Sequence, residues 1–167
     1  MTDRSGTMRA LIMGSLAVAI LDGGFVVVRV LLNGGNVSRP FQSIAAGLLG
    51  APAYDGGALT ALLGVALHFV VAAGVVLVYF AASRHWPGLT RHPVLVGALY
   101  GLLVYAVMNF VVIPLSALSA GPRSLGRMIP GILIHIVGVG IPAAMTARAA
   151  LARTPAGDTP DAPSEAP

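Results

Sequence analysis

Cysteine is absent from the 167 residues, and so is lysine. Without thiols there is no disulfide, no thiolate metal site and no cysteine nucleophile. Charge is scarce as well. Asp, Glu, Lys and Arg make up 10% of the chain, against about 25% in a soluble domain. Hydrophobic residues make up 56%, and the mean hydropathy is +0.86. An ordinary globular enzyme and a disordered chain are both excluded by these figures. All ten cationic residues are Arg, and they lift the pI to about 10.4. They are scattered at the ends of apolar runs, not gathered on one stripe, which argues against a nucleic-acid partner. Arg without Lys, alongside abundant Ala, Gly and Pro, is the compositional mark of a GC-rich bacterial genome.

What the chain has is long apolar runs. About 20 apolar residues span the hydrocarbon core as a helix. Four stretches qualify, at about 8–32, 58–82, 93–117 and 128–149. None alternates polar and apolar residues as a barrel strand must. Backbone groups cannot stay unpaired in lipid, so helices are expected. The fold class expected is all-α: a polytopic transmembrane four-helix bundle in one domain over 8–152. Residues 1–7 are expected to fray, and 153–167 to form a disordered tail. Arg4 and Arg9 before an apolar run, with Ala17-Val18-Ala19, resemble a signal peptide. The run continues to Leu32, which favours an uncleaved first helix. Arg4, Arg9, Arg84, Arg91, Arg148 and Arg153 outnumber Arg29, Arg39, Arg123 and Arg127. The positive-inside rule then puts both termini in the cytoplasm.

The outer connection from Asn33 to Gly57 is too long for a plain turn. Asn33-Gly34-Gly35-Asn36 is a helix stop. Ser38 suits a cap, Pro40 a first turn and Gly50 a stop. Phe41, Ile44, Ala45, Leu48 and Leu49 share one helical face. Segment 39–50 therefore reads as an amphipathic helix on the outer interface, or as a re-entrant lid with Gln42 pointing inward.

Polar residues inside the runs carry the functional signal. At about 1.5 Å of rise per residue, Asp22 lies roughly 20 Å from Arg9. His68 lies roughly 24 Å from Arg84, Tyr105 and Asn109 roughly 20 and 25 Å from His92, and His135 roughly 20 Å from Arg148. Each helix thus offers a polar group to one layer. Arg29 stands two turns above Asp22, near the outer headgroups. Gly97, Gly101, Tyr105 and Asn109 recur every four residues, as do Gly64, His68 and Ala72, and Gly131 and His135. Small residues allow close helix approach, and polar residues then bond across the seam.

Three functions fit this layer. The first is interhelical glue in a non-enzymatic bundle or accessory component whose surroundings are the lipid bilayer, a second copy or another membrane protein. The second is a proton or solute path in an oligomer, with Asp22, titrating imidazoles, and helices loosened at Asp22-Gly23-Gly24, Pro114 and Pro142. The third is b-type haem held by His68 and His135, with Gly64 and Gly131 clearing room for the macrocycle and Arg29 meeting propionates. Hydrolase chemistry is disfavoured, because Ser116 and Ser119 have no evident base at their depth. No metal motif with two His at i, i+4 occurs, so no cofactor is expected in the leading reading. His85, Trp86, Arg84 and Arg91 read as interface anchors on the inner loop, and Tyr54 with Asp55 as an outer one.

The strings FQSIAAGLLG, ALHF with the Tyr79-containing run to AAS, YGLLVYAVMNFVVIPLSA and IHIVGVGIPAAMTAR resemble a family of uncharacterised small bacterial four-helix inner-membrane proteins. The resemblance covers about 9–149. It implies an inner-membrane location and no particular activity. It also implies that the segment carrying Gln42, together with His68, Asn109 and His135, matches in such relatives.

Overall fold

The computed structural model describes residues 4–117 and 125–152. Five helices make up the fold, and among the described residues there is no strand. Helix α1 is Arg4–Leu32, α2 is Ser38–Leu49 and α3 is Gly57–His85. Helix α4 runs over Pro93–Leu115. Helix α5 comprises Leu125–Ile134, His135–Gly140 and Ile141–Leu151. Four of the five, all but α2, are long and apolar enough to cross a membrane. The all-α four-helix bundle expected from the sequence is the fold observed. Large apolar side chains such as Leu59, Leu62, Val78 and Leu103 stand exposed on its outside. In water so many would drive aggregation, whereas in a bilayer they meet acyl chains.

Helix boundaries follow local chemistry. Helix α1 stops where Gly34 takes φ +64° and the Gly35 amide donates to the Val30 carbonyl. Glycine adopts that left-handed conformation without steric cost. Asn33 reinforces the stop by donating its side-chain amide to the Arg29 carbonyl. Helix α4 opens on Pro93, whose fixed φ suits a first turn. One boundary differs from expectation. Residues 4–7, expected to fray, are helical, and the Thr7 hydroxyl points to the Ala150 carbonyl at 3.5 Å. The expected tail 153–167, together with Ser119 and Arg123, lies outside the described residues.

Helices α4 and α5 each contain a π-helical segment, Met108–Val112 and His135–Gly140. Both segments are followed by Ile-Pro, at Pro114 and Pro142. A proline ring crowds the carbonyl four residues back and offers no N–H. Those carbonyls belong to Phe110 and Gly138, inside the two π segments. The wider ladder of a π turn accommodates the crowding without breaking the helix. The opening expected at these prolines is therefore present, as a change of helical pitch. Asp22-Gly23-Gly24 causes no such change, and α1 runs through it unbroken.

The core lies around the second part of α5. Ala143, Ala144, Ala147 and Ala150 are completely buried there. The first three pack with Val18, Ala72, Val76 and Tyr79 from α1 and α3. A Cβ on Gly97 would lie 2.8 Å from the Gly140 carbonyl oxygen and 3.0 Å from the Ala144 methyl. Helices α4 and α5 thus touch almost backbone to backbone, as glycine and alanine permit.

Helix α2 packs on the N-terminal end of α3. The Phe41 backbone fills the space above Gly64, where any side chain would collide with it. Gln42, only 4% exposed, donates its side-chain amide to the Gly57 carbonyl at 3.0 Å. The Ala117 amide donates to the Gly47 carbonyl at 3.0 Å, which ties α2 to the end of α4. The protein-facing side is Gln42, Ala45 and Ala46, while Leu48 and Leu49 are exposed. The expected apolar face is therefore split between protein and surroundings.

Candidate intramembrane polar site

Asp22, Tyr105 and His135 come together between α1, α4 and α5. The Asp22 Oδ1 lies 3.9 Å from His135 Nδ1, and both side chains are 19% exposed. The Tyr105 ring meets the His135 ring edge-on, with centroids 5.4 Å apart. Gly131, one turn before His135, leaves the space that the Tyr105 ring enters. The four-residue spacing of Gly131 and His135 serves this contact.

His135 Nδ1 also lies 2.9 Å from the Gly131 carbonyl oxygen. A carbonyl only accepts, so Nδ1 carries the proton in that bond. The same N–H points toward a carbonyl at bonding distance and a carboxylate about an ångström farther off. His135 also opens the π segment, so the imidazole sits where the helical ladder changes.

His68 engages different residues. Its Nε2 lies 3.0 Å from the Ala19 carbonyl oxygen and against Gly23, where a Cβ would lie 3.0 Å from it. By the same reasoning Nε2 carries the proton. Asn109 lies in the π segment of α4 and donates to the Tyr105 carbonyl at 2.9 Å. Among the described residues these side chains fall into three groups of contacts. Asp22, Tyr105 and His135 meet through side chains. His68 and Asn109 reach backbone carbonyls, at Ala19 and Tyr105.

Arg29 and Gln42 are separate from this cluster. The Arg29 guanidinium stacks 5.8 Å from the centre of the Phe25 ring on its own helix. Gln42 pins α2 to the start of α3, as described above. Arg39 similarly covers the Tyr54 ring at 5.3 Å, which accounts for Tyr54 at the outer end.

The residues do not fit an axial haem pair. The space at Gly64 is occupied by the Phe41 backbone, and that at Gly131 by the Tyr105 ring. His68 Nε2 faces the Ala19 carbonyl. Among the described residues no group of three or more His, Cys, Asp or Glu could hold a metal ion. Ser116 donates its hydroxyl to the Ile113 carbonyl and lies beside Gly47.

Two tyrosines escaped the sequence reading. The Tyr100 hydroxyl donates to the Val75 carbonyl at 2.8 Å, fastening α4 to α3. The Tyr79 hydroxyl donates to the Leu89 carbonyl at 2.8 Å, fastening α3 to the loop between α3 and α4. Their rings meet edge-on at 4.8 Å. Counted from Arg84 and His92 as for the polar layer, Tyr79 lies roughly 8 Å and Tyr100 roughly 12 Å along its helix.

Comparison with protein-family models, with curated proteins and with solved structures finds no match.

Proposed function

We propose that this chain is a non-catalytic bundle protein of the bacterial inner membrane, with both termini cytoplasmic, acting as an accessory or scaffolding component. One observation carries the reading. The polar side chains in its spans donate mainly to backbone carbonyls: His68 to Ala19, Tyr100 to Val75, Tyr79 to Leu89, Asn109 to Tyr105. The bonds of His68 to Ala19 and Tyr100 to Val75 fix which helices meet and at what height, while those of Asn109 and Tyr79 brace a helix and its following loop. They leave little chemistry free for a substrate. The location and the orientation rest on the family resemblance and the arginine bias.

Asp22 favours a second reading, proton-linked transport by an oligomer. An ionised carboxylate cannot donate to a carbonyl, so it cannot fasten helices in that way. Burying it costs about 2.5–3.5 kcal/mol on insertion scales. The His135 ring at 3.9 Å offers a place to pass a proton.

The deciding experiment reconstitutes the protein in vesicles holding a pH-sensitive dye and applies a pH step. The bundle reading expects identical dye traces with wild type, Asp22→Asn and empty vesicles. A proton leak present in wild type and abolished by Asp22→Asn overturns it in favour of transport.

A further inference from the structure

Between α1 and α3 runs a groove of about 580 Å³. Leu11, Leu16, Phe69, Ala73 and Leu77 line it, and Arg4 stands at its end. Two hydroxyls border it, and both turn away. Ser15 donates to the Leu11 carbonyl at 2.8 Å, and Thr7 points to the Ala150 carbonyl. The groove itself is therefore apolar from end to end and closed by a single cation. From Arg4 to Leu16 the helix rises roughly 18 Å. One leaflet contributes about half of the roughly 30 Å hydrocarbon core. The groove thus runs the depth of one leaflet, with its guanidinium where phosphates lie.

We propose that this groove is a binding site for one anionic phospholipid, an acyl chain lying along Leu11, Leu16, Phe69 and Leu77 and the phosphate held by Arg4. Shape and charge both select this occupant. The apolar floor has no partner for a hydrogen-bonding solute. The guanidinium matches a phosphate in a bidentate manner. Arg84 ends α3 on the same side of the bundle and adds to the positive potential there. Basic positions between transmembrane helices at one bilayer surface favour anionic headgroups, by about five-fold per Arg or Lys.

The test uses the chain's own composition. It has one tryptophan, Trp86, so Trp86→Phe gives a silent background on which Leu77→Trp reports from the groove. The protein is placed in phosphatidylcholine vesicles containing brominated phosphatidylglycerol, or brominated phosphatidylcholine at the same mole fraction. The expected result is about five-fold preferential quenching by the anionic lipid. Arg4→Gln reduces it to parity, and Arg4→Lys keeps most of it. A second reporter, Leu99→Trp on the exposed face of α4, gives a ratio that Arg4→Gln leaves unchanged. Equal quenching by both lipids with Arg4 present overturns the proposal. So does a Leu77→Trp signal that neither lipid quenches, which would mean that protein, such as a second copy, covers the groove.

Discussion

The half of the bundle that holds Arg4 and Leu151 and the half that holds α2 are built differently. In the first, four fully buried alanines of α5 let three other helices close around it. In the second, α2 packs on α3, and the His68 ring reaches the Ala19 carbonyl of α1. Lipid tails are as apolar as the side chains, so burial alone gives no drive to associate helices in a membrane. Close van der Waals contact supplies it in both halves, at the alanines in one and at Gly64 in the other, and hydrogen bonds such as Tyr100 to Val75 and His68 to Ala19 add to it. Contact of the first kind fails when volume is added. The second fails when a donor is removed, and each such bond contributes little.

That contrast ranks the substitutions. Ala144→Leu should be the most damaging, because it drives new atoms into the α4 backbone at Gly97. Overpacking a tight core costs about 1–3 kcal/mol, and here the upper end is expected, read as lost monodisperse protein and a lower Tm in detergent. Gly64→Ala should come next, with a local effect: α2 lifts from α3 and limited proteolysis cuts between Asn33 and Gly57, while the four long helices stay folded. A bundle that unfolds globally would show that α2 is integral to it. Tyr100→Phe removes one bond to Val75 and should cost about 1 kcal/mol, visible as a modest fall in Tm. His68→Gln should cost least, about 0.6 kcal/mol. A loss from His68→Gln as large as that from Ala144→Leu would abolish the distinction between the two kinds of contact.

Much of this was legible in the sequence for a physical reason. Span length and helical rise are fixed by geometry, so the four long helices followed from counting residues. Rotation about the helix axis was less accessible. The apolar residues of α3 surround it almost evenly, so periodicity could not say that His68 turns to Ala19 while His135 turns to Asp22. Nor could it say that Gly64 receives a backbone and not a cofactor. The two glycines that suggested room for a macrocycle mark where protein approaches most closely. The π segments were foreshadowed by Pro114 and Pro142, but a proline announces disturbance without specifying its form.

The π segment of α5 has a consequence for insertions and deletions. A π turn is a helix carrying one surplus residue, and each residue of an α-helix turns the following chain by about 100°. His135–Gly140 thus sets the angle between the Gly131–His135 face and the alanine face at Ala143, Ala144 and Ala147. Deleting a single residue such as Val137 would restore a regular ladder and leave the two faces nearly in phase, whereas inserting a residue into the α-helical part would swing one face by about 100°. After such an insertion either the alanines would leave the centre of the bundle or His135 would leave Asp22. In this helix the surplus amino acid is absorbed without loss of phase, and the chain would tolerate losing it more readily than gaining another.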